Sequence, residues 1–167
     1  MYNKIYIIKH NSAEISIGND FVFTSGSCFN AHCRNIRGCL YAAESAKISI
    51  GDNVGISSAT LWAKEEIRIG NHVNIGGDCI LLDTDAHNLD YRIRRDGKRD
   101  TFTAKSKPIV IEDDVLIGTR CIILKGVTIG ARSVIGSGSV VTKSIPADCV
   151  AAGNPCRVIR SLKDTAN

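Results

Sequence analysis

Between Ile109 and Val150 this chain repeats itself every six residues. Ile111, Ile117, Ile123, Ile129, Ile135 and Val141 stand one hexad apart. Glu112, Gly118, Gly130 and Gly136 follow four of them, and Val115, Cys121, Val127, Ser133 and Ser139 sit four places after the first five. Neither a helix of period 3.6 nor a lone strand of period 2 yields a clean period of six. The chain must therefore coil in short identical steps. Each hexad supplies one short flat strand and one tight turn. The aliphatic residue points inward, the Gly or acidic residue starts the bend, and a small residue lies under the corner. Stacked coils then bury a continuous aliphatic column. Such a chain is all-β: a parallel β-helix.

The rhythm recurs upstream. Ile69, Ile75 and Leu81 keep the phase of the C-terminal block, whereas Ile50 and Ile56 are one residue out, so the stretch from Trp62 to Glu66 absorbs a slip. Ile17, Phe21, Phe23 and Phe29 suggest looser coils before that. Three segments follow: residues 1–16 as an N-terminal cap, 17–155 as the solenoid, and 156–167 as a C-terminal tail. The tail, with Arg157, Val158, Ile159, Arg160 and Leu162 after the Gly153-Asn154-Pro155 turn, is expected to form a short helix.

With 167 residues, 44% of them hydrophobic, the chain has material for one core and not two. No apolar run of membrane-spanning length and no signal-peptide pattern is evident. A net charge of +4 and 5% aromatics fit anionic small molecules and speak against nucleic-acid binding. Among the seven cysteines, Cys79 and Cys121 take the small corner slots. Cys28, Cys33 and Cys39 beside His32 lack the close CxxC pairs usual in zinc sites, so free thiols in a solenoid wall are expected. Unpaired thiols point to a reducing, cytoplasmic setting.

Function should lie where the rhythm fails. From Asp83 to Pro108 the hexad is abandoned for 26 residues. An excursion of that length is expected to be a functional loop. It opens Asp83-Thr84-Asp85-Ala86-His87-Asn88 and then turns basic, with Arg92, Arg94, Arg95, Lys98, Arg99, Lys105 and Lys107. Three readings fit its entry. His87 can serve as a base near neutral pH with a carboxylate fixing its tautomer. Asp83 and Asp85 can form a hydrogen-bonded turn that merely launches the loop. Asp-x-Asp-x-His can also offer three metal ligands.

The hexads, the D-T-D-A-H entry, the basic loop ending in K-P-I-V-I, and the run I-L-K-G-V-T-I-G-A-R-S-V-I-G-S-G-S-V-V-T-K-S-I-P with A-G-N-P-C-R-V-I-R together carry a resemblance. The chain resembles the hexapeptide-repeat acyltransferases, the left-handed β-helix family that includes galactoside and maltose O-acetyltransferases. The likeness runs from about Ile48 to Arg160 and is nearest to the branch associated with polysaccharide modification. The left hand is implied by the family; crossovers between parallel strands otherwise favour the right. The resemblance also implies a homotrimer, with acetyl-CoA as co-substrate in the groove between neighbours and the extruded loop reaching across. No tightly bound cofactor or metal is expected.

Under that resemblance His87 is the catalytic base, with Asp85 and Asp83 beside it. Thr119 and Ser137 lie along the pantetheine, and Thr142, Lys143, Arg157 and Arg160 suit the nucleotide phosphates. On the acceptor side the correspondence is looser: Ser57, then Glu65 or Glu66, and Arg92 from the loop. Leu116 stands where the family often has a Trp. The implied reaction is acetyl transfer to a sugar hydroxyl. Related branches acetylate amino sugars on nitrogen or inactivate hydroxylated antibiotics, and these are the rival enzymatic readings. A metal protein of the γ-carbonic-anhydrase kind needs three converging histidines, and His10, His32, His72 and His87 show no helpful spacing.

Overall fold

In the computed structural model, residues 5–26 and 36–163 are described. The first coil is β1 (Tyr6–Lys9), β2 (Glu14–Ile17) and β3 (Val22–Thr24); the second is β4 (Cys39–Ala42), β5 (Lys47–Ile50) and β6 (Gly55–Ser57). The third is β7 (Thr60–Ala63), β8 (Glu66–Ile69) and β9 (Asn74–Ile75). The fourth starts with β10 (Ile80–Leu82), breaks for α1 (Tyr91–Arg94) and α2 (Gly97–Thr103), and resumes with β11 (Ile109–Ile111) and β12 (Leu116–Ile117). The fifth is β13 (Ile122–Leu124), β14 (Thr128–Ile129) and β15 (Val134–Ile135); β16 (Val140–Val141) and β17 (Cys149–Gly153) form the last, closed by β18 (Cys156–Ser161).

Every third strand stacks on the same face. Face A is β1-β4-β7-β10-β13-β16, face B is β2-β5-β8-β11-β14, and face C is β3-β6-β9-β12-β15-β17-β18. Ile111 pairs with Ile129, Ile117 with Ile135 and Ile123 with Val141, each eighteen positions on. Three hexads therefore make one coil, one hexad per face. The inward residues Leu61, Leu81, Ile67, Ile109, Ile117, Ile123 and Ile129 are wholly buried and fill the prism.

The turns obey a rule that the hexad alone does not reveal. Three places after the inward aliphatic the backbone turns left-handed: Asn53, His72, Asp78, Asp114, Arg120 and Arg132 have φ between 56° and 60°. Asn and Asp tolerate that region best, and the fold imposes it on His and Arg as well. The glycine one place after the aliphatic has a different task. A Cβ on Gly118 would meet the Ser137 amide at 2.6 Å, and one on Gly76 the Thr119 amide at 2.7 Å. Glycine there lets successive turns stack in contact.

The phase slip falls at one corner. From Leu61 to Ile69 the chain takes eight steps where Ile123 to Ile129 takes six, and Lys64 and Glu65 are the surplus. The step from Ile56 to Leu61 is one residue short, which leaves the net slip of one. The extruded loop leaves the corner directly above, between faces A and B.

Two expectations are corrected. Cys156–Ser161 is a strand, not a helix: β18 returns antiparallel along β17 after a turn whose Asn154–Pro155 peptide is cis. The last strand of a solenoid offers an unpaired edge, and the β-branched Val158 and Ile159 favour satisfying it. Residues before Ile17 also join the repeat, since β1 and β2 pair in register with β4 and β5. Cys79 and Cys121 lie buried in their corner slots as free thiols. Cys28, His32 and Cys33 fall outside the described residues.

Candidate active site

The loop is more ordered than a structureless excursion. Its neck is a short antiparallel ladder in which Asp85 N–H donates to the Lys105 carbonyl and Lys107 N–H to that of Asp83, with Thr84 bridged to Ser106. Asp90 caps α1 by accepting from the Arg92 amide, and Asp96 caps α2 by accepting from the Lys98 and Arg99 amides. Both are good N-cap residues because a carboxylate satisfies orphan amides at a helix start.

Those two helices bring one carboxylate to His87. The only side chain buried in either helix is Asp100, and its Oδ2 lies 2.6 Å from His87 Nδ1. A carboxylate can only accept, so Nδ1 carries the hydrogen and Nε2 is left as the basic nitrogen. Asp100 Oδ1 accepts the Asn88 amide at 2.6 Å. The His87 hydrogen bond, and after it the Asn88 amide, hold the Asp100 carboxyl below the usual carboxylate range. Asn88 fastens the arrangement further, donating to Thr103 and accepting from the Asp90 amide. The imidazole itself is exposed, at 68% of its side-chain surface.

The expected partners of His87 are thus elsewhere. Asp83 is fully buried, and its two oxygens accept the amides of Lys64, Glu65 and Glu66 at 2.7–2.8 Å. It caps the enlarged corner of the coil below, and burial pushes its carboxyl up against the pull of those amides. Asp85 pairs with Lys125 at 2.5 Å. Three side chains with three separate partners do not form the Asp-x-Asp-x-His ligand set, and the metal reading fails on that geometry. Sequence reading missed Asp100, Asn88 and Lys125.

The remaining residues separate onto two corners. Because Ile56, Ile75, Ile117 and Ile135 stack in register, the positions after them stack too: Ser57, Gly76, Gly118 and Gly136. Thr119 and Ser137 thus share the corner between faces C and A, with the Gly138 amide donating to the Thr119 carbonyl at 2.8 Å. Ser57 stands lower in that column, accepts from Thr24 Oγ1 at 2.9 Å, and lines a shallow cavity of about 250 Å³ with Val22, Asn74 and the half-exposed Leu116. Arg157, paired with Ala152, is exposed at the end of the same column, whereas Arg160, also exposed, pairs with Val150 further back along face C.

Thr142 and Lys143 follow β16 and stand on the other corner, between faces A and B, above the loop that carries His87. Glu65 is at this corner too, its amide on Asp83. Arg92 is exposed and paired with Asp90 at 2.9 Å. Within one chain, then, His87 and the Thr119–Ser137 column lie on opposite edges of face A.

A family model described as hexapeptide repeat of succinyl-transferase matches residues 108–143. A hexapeptide-repeat acetyltransferase of known structure from Vibrio cholerae is 37% identical, with a TM-score of 0.68 over 88% of this chain and 73% of that one. The chain belongs to the hexapeptide-repeat acetyltransferases. Its solenoid is the left-handed parallel β-helix of that family. The structure of a Vibrio cholerae relative complexed with acetyl-coenzyme A gives 33% identity and a TM-score of 0.62 over 96% of this chain and 73% of that one. Galactoside O-acetyltransferase of Escherichia coli is 39% identical over 126 residues, 75% of this chain and 59% of the relative. The chain therefore spans about three-fifths of that curated relative. Among the described residues, no helix is long and apolar enough to cross a membrane.

Proposed function

We propose that this chain transfers an acetyl group from acetyl-CoA to a carbohydrate hydroxyl, with His87 as general base. The observation that carries the reading is the 2.6 Å contact between His87 Nδ1 and Asp100, which leaves Nε2 basic and exposed at the loop entry. Nε2 takes the acceptor's proton as its oxygen attacks the thioester carbonyl. The C–S bond then breaks, and the imidazolium returns the proton to the departing thiolate of CoA. A turn amide near Thr119 suits the oxyanion. A thioester is already activated, so no Ser or Cys nucleophile is needed. The likeness to galactoside O-acetyltransferase and to the acetyl-CoA complex supports the acceptor and donor classes.

The two half-sites fit a homotrimer. The outward side of face A is mostly apolar, with Tyr41, Trp62, Leu82 and Leu124 in one column and Ile80, Ile122 and Val140 continuing from Thr60 in the next, whereas face B shows Lys47, Ser49, Glu66 and Arg68. Turning three A faces toward a common axis buries that strip and sets each His87 corner against a neighbour's Thr119–Ser137 corner. The loop then lies over the neighbour. Its Phe102, Leu89 and Tyr91, exposed at 89%, 77% and 56%, supply apolar contact for that docking. Acetyl-CoA runs along the groove, its phosphates toward Lys143, Arg157 and Arg160 and its pantetheine toward Thr119 and Ser137.

Ser57, Glu65 and Arg92 line the acceptor end, and a role in surface-polysaccharide modification in the cytoplasm suits such an activity. A panel of galactosides, amino sugars and polysaccharide repeat units, followed by CoA thiol release, tests the reading. Rapid discharge by a hydroxyl acceptor, abolished in His87→Ala, is expected. Discharge only by an amino group would overturn O-transfer.

A further inference from the structure

His87 sits on a strained piece of backbone. Its N–H donates to the Asp85 carbonyl at 2.6 Å, closing a three-residue turn around Ala86, whose φ is 60°. Such positive-φ γ-turns are rare, and an alanine held left-handed persists only when its surroundings over-determine it. Thr84 Oγ1 accepts the Ala86 amide at 3.1 Å and secures one side. The other side is secured from a different coil. Lys125 Nζ donates to Asp85 Oδ1 at 2.5 Å, with the two side chains only 26% and 18% exposed. Lys125 follows β13, in the column where Ala42 and Ala63 point into the core and Asp83 caps the corner. A lysine side chain only about a quarter exposed needs an acid to meet it, and the acid it meets belongs to the turn that carries His87.

We propose that Lys125 is a positioning residue for the transfer: through Asp85 it holds the Ala86 turn in its left-handed form and so aims the His87 imidazole at the groove. This rests on His87 as the base. The solenoid thereby reaches past the neck of the loop to the residue that does the chemistry. Asp100 fixes the tautomer and Lys125 fixes the direction.

The test uses the intact protein and a double substitution. Lys125→Met should lower kcat about tenfold, with KM for acetyl-CoA unchanged and the assembly intact, because a small misplacement of a base is costly. Lys125→Arg should keep kcat within about threefold, since it retains the charge and the reach. Glycine adopts positive φ without strain, so Ala86→Gly in the Lys125→Met background should recover most of the loss. A merely structural ion pair would give no such rescue, and its absence would overturn the proposal. An activity-free readout separates this from the base reading. The hydrogen-bonded Nδ1 proton of His87, followed by NMR, should weaken in Lys125→Met and return in the double variant. An unchanged signal in Lys125→Met overturns the positioning role whatever the turnover. A fully active His87→Ala would instead overturn the base and leave the NMR test of Lys125 standing.

Discussion

The coils from Ile109 to Gly153 and the loop from Asp83 to Pro108 are held together by different physics. In the coils, Ile109, Ile117, Ile123 and Ile129 are wholly buried, and each such side chain stabilises by about 1.5–3 kcal/mol. In the loop helices only Asp100 is buried, and the local structure hangs on polar pairs: His87 with Asp100, Asn88 with Thr103, Asp85 with Lys125. Hydrophobic stacking makes a rigid edge and offers no reactive group. Polar pairing holds an exposed imidazole in one tautomer, where substitution reaches it easily. Rigidity comes from the repeat, and the exposed imidazole comes from its interruption.

The largest expected effect separates the two regions outright. His87→Ala should lower kcat by about 10² to 10⁴ and leave the melting temperature in place; steady-state turnover beside a thermal melt checks both. Asp83→Ala should do the reverse. It leaves the Lys64, Glu65 and Glu66 amides without their acceptor, a loss of about 3 kcal/mol of stability measurable by urea unfolding.

Acid should open the loop before the coils. The His87 contact lowers the Asp100 carboxyl, and the Arg92 contact lowers that of Asp90. A carboxyl lowered by folding stabilises fully above its unfolded value of about 3.9, and that contribution is lost as pH falls through the folded value. Hydrogen exchange below about pH 4 should therefore rise first in the loop-neck amides of Asp85 and Lys107, with Ile117 and Ile135 still protected. Simultaneous exchange would contradict the contrast. The smallest effect belongs to Arg92→Ala, an exposed charge paired with the cap of its own helix, which should raise KM for the acceptor about threefold and keep kcat within about twofold.

The fold was legible because the hexad is a property of every coil. A residue that points inward must be aliphatic six times over, and that cannot hide in a sequence. The loop entry was legible as the point where the demand lapses. Asp100 was not, because it stands thirteen places on from His87 and only the folding of α2 joins them. The signal was Asp96 followed four places on by Asp100: a helix cap with a second acid on the first turn, where one would have sufficed. Lys125 left no trace, because it stands two places after Ile123, at the turn position where Thr119, Ser137 and Lys143 are polar too. The pattern Arg157-Val158-Ile159-Arg160 suits helix and strand alike, and the open edge of β17 decides for the strand. On the acceptor side the one-residue slip blurred Glu65 against Glu66, and the surplus residues at that corner explain why.

The central claim is that the loop of one copy completes the groove of another. Two inactive variants test it: His87→Ala, which removes the base, and Ser137→Trp, which fills the CoA corner. Each should be nearly inactive alone. Unfolded together in equal amounts and reassembled, they should regain about a quarter of wild-type activity, because mixed trimers each hold one site with an intact base facing an intact corner. Activity no higher than the sum of the two parents would mean that base and corner belong to the same chain, and would contradict the shared site.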